Sequence, residues 1–535
     1  MLTRRTLLTL TAASPILGSA AFLSSPARAA TPKGVIVMAK QIDDLVSGFD
    51  PAEAYDITNL EVVPNLYRGL VMPDAADNTK VVGDLAKSWT VSPDGTTFTF
   101  KLKTDIKFAS GKAVTAEDAA FSFRRAVKLN KLPAFILTQF GFAKDNVETL
   151  ITAPDNETLV MKLPAPVAPT FLLFCLTAPV GGVVEKATAL AHEVDGDMGN
   201  GWLKLHSAGA GGYQMVEWVA SDHLTLDANP HHGTPNQPRR IFMRHVPDPS
   251  AQLLMLQKGD ADIARNLTPD LLKKVREDKS MTIVSAGQAV SVYIAMNQAV
   301  PALQKVEVRQ ALKWAIDYDG IATNITPNMF SVAQGFLPPG LPGGLTDRLF
   351  KKDVAKAKQL LAAAGYPDGF DVTLEVPSSA PYADIGQAVQ ADLAAVGIRV
   401  KLVTGEMRQV MTKTRQRSHE LALMPWGTDY FDPYSNSQTF CENPNDGDDT
   451  KLKTMAWRSH YVDKELNDMS VAASKELDTD KRMAMYRDMQ LKFADRAPFV
   501  MMLQKIASAV MAKGVSGFTI GPQTGFTQYA DIRKA

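Results

Sequence analysis

The chain has 535 residues, 45% of them hydrophobic and 21% charged, with 57 basic residues against 57 acidic ones. That balance leaves no basic footprint, so nucleic acid is excluded as a partner. A chain of this length outgrows a single hydrophobic core and predicts two or three domains.

Residues 1–29 read as an export signal. Arg4 and Arg5 form a charged n-region, an apolar stretch runs from Leu7 to Leu23, and Ala27-Arg28-Ala29 is an A-x-A cleavage site. Cleavage is expected near Ala29-Ala30. The order Thr3-Arg4-Arg5-Thr6-Leu7-Leu8 matches a twin-arginine signal, and a Sec signal with two arginines is the alternative. No cysteine stands at the cleavage site to take a lipid. The longest later apolar run, 168–184, is broken by Pro169, Pro179 and Gly181-Gly182, short of the roughly 18 residues of a membrane span. The expectation is a periplasmic protein with no membrane anchor, acting as a monomer.

Val35 to Ala39 reads as the first strand, with Tyr55 and Asp56 beyond the loop that follows it. From Leu85 to Phe123 the pattern is strand, turn, strand, turn and helix start. Pro93-Asp94-Gly95 has turn chemistry, and Phe98, Phe100 and Leu102 alternate with polar residues as in a strand buried on one face. A second turn falls at Ser110-Gly111, and Thr115 with Asp118 three residues on predicts a capped helix. Cys175 lies in an apolar run and Cys441 in a polar loop, so two unpaired thiols are expected. His231-His232 lacks spaced partner ligands and reads as a surface loop. The stretch Asn445-Asp446-Gly447-Asp448-Asp449 lacks the order of a calcium loop.

In the second half, Val308, Leu312, Ala315 and Ile316 share one helical face, in a helix expected to end near Asp319-Gly320. Asp353 caps a helix that Gly365 stops. Val372-Leu374-Val376, a helix over 385–396 and Ile398-Val400-Leu402 form a βαβ unit. A helix over 406–416 then leads to a strand from Leu421 to Trp426. Parallel open sheets bind ligands beyond the carboxyl ends of their strands, which directs attention to the loop after Trp426. No GxGxxG, P-loop or GxSxG motif occurs, which leaves open a catalytic set dispersed over distant positions; that neither an enzyme nor a cofactor is expected follows from the resemblance described next.

Several of these segments resemble the bacterial extracellular solute-binding proteins of family 5, the peptide and nickel type receptors of ABC importers. The matching residues include Leu85-Ala86, Trp89, Asp94-Gly95, Phe98, Phe108, Gly111 and Thr115-Ala116-Glu117-Asp118. Further on they include Val308-Arg309-Gln310-Ala311-Leu312, Ala315-Ile316-Asp317 and 358–367 (KQLLAAAGYP). Gly209-Ala210-Gly211-Gly212-Tyr213 stands where the family has G-T-G-P-Y. The resemblance implies an α/β, two-lobed periplasmic-binding-protein fold of type II, with an extra subdomain on the first lobe and crossing hinge strands. Applied here, lobe I would be 30–73, 204–283 and 500–535, the subdomain 74–203, and lobe II 284–499.

It also implies a function: capture of a peptide or amino-acid-like ligand between the lobes and delivery to an inner-membrane permease and its ATPase. In the oligopeptide branch a W-x-x-D-Y motif supplies an Asp for the peptide's α-ammonium, and Asp429 in Trp426-Gly427-Thr428-Asp429-Tyr430 falls on that position. Trp426 and Tyr430 would add apolar surface and cation–π attraction, with Gly427 and Thr428 shaping the turn. The other reading of Asp429 is a cap for the following turn. Tyr55 is a candidate for the opposite wall. Asn297 resembles a family Asn near the inter-lobe strands and is expected to hold backbone groups. Leu423 stands where an arginine for a peptide carboxylate would be sought. Opines, oligosaccharides and chelated nickel are the other ligand classes, and a twin-arginine-exported enzyme is the reading from a different class.

Overall fold

Two long apolar strands cross the middle of the molecule in a computed structural model that describes residues 31–235 and 237–535. Met281–Met296 and Phe499–Ala512 pair antiparallel from Met281 opposite Ala512 to Ala295 opposite Phe499, with register shifts at Gly287/Ser291 and Val292/Tyr293. They form the centre of an eleven-stranded mixed sheet. On one side the sheet continues through Ile263–Ala264, Val35–Lys40, Arg240–His245, His223–Ala228 and Tyr213–Val219. On the other it continues through Leu421–Gly427, Asp371–Pro377 and Arg399–Gly405. Separate hydrophobic cores flank the two halves, one around Ile36, Met38 and Ile241, the other around Val292, Leu374 and Leu423. Residues 500, 501 and 503 pair with 294, 293 and 292, so the strand that begins at Phe499 is continuous across the middle of the sheet.

The predicted βαβ unit is present. Asp371–Pro377 and Arg399–Gly405 pair in parallel, joined by the helix Tyr382–Ala394. Leu421–Gly427 lies beside them, parallel to the first and antiparallel to Met281–Met296.

A four-stranded antiparallel sheet, Ala86–Val91, Thr97–Leu102, Thr158–Lys162 and Ile151–Thr152, builds a third body. Its hairpin turns where Pro93-Asp94-Gly95 requires it, with Gly95 at φ +69°. Phe98, Phe100 and Leu102 face inward, at most 1% exposed. Each such side chain contributes about 2–3 kcal/mol of burial. Thr115 and Asp118 form the expected capping box on the helix Ala116–Leu129.

Two expectations need correction. The helix starting at Val306 ends at Ala315 rather than near Gly320. Ile316 turns extended, and Asp317 caps a new short turn by accepting from Gly320 N at 2.8 Å. Cys441 is no loop residue either: it ends the helix Pro433–Cys441 and is 1% exposed, while Cys175 is fully buried and both are free thiols.

The glycines of 209–212 differ in their need. A Cβ on Gly209 would lie 2.1 Å from Leu66 O and one on Gly211 2.4 Å from Asn65 O, so both must be glycine. Gly212 is less constrained: a Cβ there would press on Ala530 Cβ at 3.3 Å, a tight contact that a shift of a few tenths of an ångström relieves. No described helix is long and apolar enough to cross a membrane.

Candidate functional site

The strand Leu421–Gly427 delivers its loop to the point where the crossing strands break register. Gly427 pairs with Val290, and Thr428 N donates to Ala289 O at 3.0 Å. The loop after Trp426 therefore leaves the sheet beside the junction of its two halves.

Asp429 sits at that junction. Its Oδ1 accepts from the Tyr55 hydroxyl at 2.7 Å, and its backbone N donates to Ser435 Oγ at 3.1 Å. Tyr55 comes from the other side of the crossing strands, just before the helix Ile57–Leu66, so this bond spans the two halves. The Tyr55 ring meets Phe135 edge-on at 6.0 Å. Burial pushes the Asp429 carboxyl above its ordinary range, and the Tyr55 hydroxyl only partly opposes this. Burial and then the nearby Asp429 charge push the Tyr55 phenol up in turn. Among the described residues Asp429 has no cationic partner, since its one charge-stabilising contact is Tyr55. A half-buried carboxylate with a single neutral donor has an unmet demand for a cation, and an ammonium group would meet it with a charge-assisted bond.

The neighbours divide. Trp426 Nε1 and Thr428 Oγ1 both donate to Asn436 Oδ1 at 3.1 Å, which fixes Trp426 edge-on to Phe440. Both remain partly exposed, and Gly427 is exposed. Tyr430 departs from its expected role. It is 2% exposed, its ring packs on Phe171 at 5.7 Å, and its hydroxyl donates to Gln139 Oε1 at 3.1 Å. An aromatic ring with one polar tip gains more from that dry pocket than from a wetted wall, so Tyr430 offers no open face to an ammonium. Asn297 is also withdrawn from any ligand. Its Nδ2 donates to Arg417 O and His419 O at 3.0 and 2.7 Å, and its Oδ1 accepts from Ala299 N.

In sequence Asp432-Pro433 reads as a turn rather than a site, and Asp432 does more than turn the chain. It is fully buried, pairs with Arg482 through both oxygens at 2.7 and 2.6 Å, and caps the helix Pro433–Cys441 by accepting from Tyr434 N. Asp at the N-cap with Pro at the first helical position was the available signal. The capping role weighed for Asp429 thus belongs to Asp432. Asp56 turns away, accepting from Val46 N and from Ser47 N and Oγ. Among the described residues no group of three or more His, Cys, Asp or Glu is placed to hold a metal.

The family model for bacterial extracellular solute-binding proteins, family 5, matches residues 80–448. The chain belongs to that family. It is 28% identical over 510 residues to DdpA of Escherichia coli K12, described as a probable D,D-dipeptide-binding periplasmic protein, covering 93% of each chain. It is 25% identical to the glutathione-binding protein GsiB of Shigella boydii, over 90% of this chain and 92% of that one. The solved structure of HbpA2 from Haemophilus parasuis has the same fold, with a TM-score of 0.79 at 22% identity, covering 94% of this chain and 100% of the other. The fold is that of the type II periplasmic binding proteins.

Proposed function

We propose that this family 5 protein is the periplasmic receptor of an ABC importer, and that it captures a peptide or amino-acid-like ligand through its α-ammonium. Asp429 carries the reading: a half-buried carboxylate, open in part to an incoming ligand, with no cationic partner among the described residues, at the junction of the two halves. In a medium of lowered dielectric an incoming ammonium gains most where no resident cation competes for the carboxylate. The names of DdpA and GsiB support a peptide-like ligand. Lobe I is 30–73, 204–283 and 500–535, the subdomain 74–203, and lobe II 284–499. The lobes close about the crossing strands, and the closed form is what permease and ATPase read. The signal at 1–29, outside the described residues, sends the chain to the periplasm.

The test is a thermal-shift panel on residues 30–535 with di- to pentapeptides, opines, oligosaccharides and nickel chelates. At a hundred times its dissociation constant a ligand adds about 2.7 kcal/mol to the native state. Peptides are expected to stabilise the protein, and Asp429→Ala to lose that effect. Stabilisation by sugars or chelates alone would overturn the ligand class and leave the fold standing.

A further inference from the structure

The loop that carries Asp429 is anchored on both halves of the molecule at once. Asp429 bonds across to Tyr55, and the next residue, Tyr430, belongs to the hydrophobic core of the four-stranded body. Gln139 ties that plug down: its Oε1 accepts from Tyr430 Oη at 3.1 Å, and its Nε2 approaches Cys175 Sγ at 3.6 Å. The seam continues beyond Tyr430. Phe171 packs against Tyr434 at 4.8 Å and Phe174 against Phe431 at 5.7 Å. Arg482, 1% exposed on its side chain, donates to Thr170 Oγ1 at 2.8 Å while holding Asp432. Ala168 N donates to Ser474 O at 2.9 Å, a main-chain bond across the same seam.

Opening this seam would strand a buried guanidinium contact and a backbone pair and would wet several aromatic rings. Domain closure is absorbed by a few loop or element-terminal residues, and contacts that are costly to open stay together through it. We infer that the Tyr430–Phe171 seam is a fixed non-covalent pivot beside the crossing strands, and that Tyr430 is the residue positioning Asp429 on the axis of lobe rotation. A point near a rotation axis hardly moves. Asp429 therefore presents the same geometry before and after closure, and the ligand's ammonium docks first, in the ligand-free conformation. The remainder of the ligand meets its second wall only as the lobes swing in. This rests on the hinge-closing reading above and adds where the axis runs and which contact forms first.

Cys175 lies under the plug and reports on the seam, while Cys441, buried in a different core, is the internal control. The experiment treats ligand-free protein with a thiol reagent in native buffer and in rising urea, and resolves the two cysteines by mass. A fixed pivot predicts that both stay unlabelled in native buffer and react together at the global transition. Labelling of Cys175 in native buffer at ten times the Cys441 rate or more would overturn the pivot, because the seam would be opening with the cleft.

A second measurement distinguishes positioning from plain structural support. Leu132 and Asp384 are exposed on the subdomain and on lobe II, and Leu132→Cys with Asp384→Cys takes a pair of spin labels. Phe171→Ala and Tyr430→Phe are expected to broaden the inter-label distance distribution at least twofold at temperatures where the protein is fully folded. An unchanged distribution in both variants would overturn the positioning role. The thermal-shift panel decides the hinge-closing receptor separately, since neither the labelling nor the distances require a ligand.

Discussion

At the scale of single residues, Asp429 carries a cost in stability that its proposed binding role would offset. Its folded pKa is raised, so the native state holds this proton more tightly than the unfolded chain does. Its contribution to stability is therefore present at acid pH and falls as pH rises through the unfolded value near 3.8 towards the raised folded one. At pH 7 the ionised group is a liability that only a cation relieves. Asp429→Asn, which keeps an acceptor for Tyr55, is expected to raise the melting temperature by about 1–2 °C without ligand. It should also weaken binding of a peptide-like ligand at least about thirtyfold, as removing one partner of a buried charge pair does. Calorimetry on both proteins reads both effects, and a variant that melts lower while binding equally well would refute the assignment. His419 makes the opposite demand. It is 2% exposed, neither ring nitrogen has a partner, and burial lowers its pKa to about 4. A histidine depressed in this way favours the neutral native state, so stability is complete above the unfolded pKa near 6.5 and is lost as pH falls towards 4. The loss over that window is about 3 kcal/mol. Urea midpoints of wild type and His419→Leu between pH 7 and 4 should diverge by that amount, the wild type falling more steeply. Parallel curves would mean that the ring is not buried neutral.

At the scale of elements, residues that resembled a family signature turn out to be the cap of a distant helix. The helix Val306–Ala315 lies at the carboxyl end of Thr479–Arg496, where the last carbonyls have no partner of their own. Arg309 Nε donates to Arg496 O at 2.9 Å, and Lys313 Nζ donates to Ala494 O and Ala497 O at 2.7 and 2.9 Å. Gln310 reaches Ala494 O at 3.2 Å. Arg309 Nη1 also donates to Leu303 O and Gln304 O, so removing the side chain releases three carbonyls together, that of Leu303 in a buried bond. Arg309→Ala is expected to cost about 3 kcal/mol, read as a lower urea midpoint at constant slope. A loss below 0.5 kcal/mol, the range of ordinary surface substitutions, would show that water replaces the guanidinium. Periodicity revealed this helix because its inward face is apolar at helical spacing. It could not reveal that Arg309 and Gln310 also reach the end of Thr479–Arg496, because those carbonyls lie 187 and 184 residues further along. The same limit explains Tyr430. Its local pattern reads as part of a ligand wall, and the pocket that takes it is assembled from Gln139 and Phe171, which nothing near it in sequence announces. The place of Asp429 was legible, since a strand ending in a glycine announces the loop that follows, while the role proposed for it comes from the resemblance to the W-x-x-D-Y motif. Its Tyr55 partner is 374 positions away.

At the scale of the whole molecule, the two halves share one sheet, so any hinge must be a defect within it. The register shift between Gly287 and Ser291 is such a defect, a place where ladder bonds are missing and twist concentrates. Gln504 bridges it, donating through Nε2 to Gln288 O at 3.0 Å and to Pro339 O at 2.7 Å. Gly287 leaves room for this amide: a Cβ there would lie 2.9 Å from Gln504 Nε2. Because Gln504 is held by two bonds, it cannot swing aside freely. Gly287→Val should displace it, stiffen the strand by β-branching and bias the lobes towards one arrangement. A Cβ at Gly287 meets Gln504 first, so the substitution acts on the crossing strands through that side chain. The expected result is a ligand affinity reduced about tenfold, or 1.4 kcal/mol, entering through the conformational equilibrium. Small-angle scattering should show a smaller ligand-induced change in radius of gyration than in wild type. Wild-type affinity together with a wild-type scattering change would place the hinge elsewhere along the crossing strands, with Val292/Tyr293 as the next break in register.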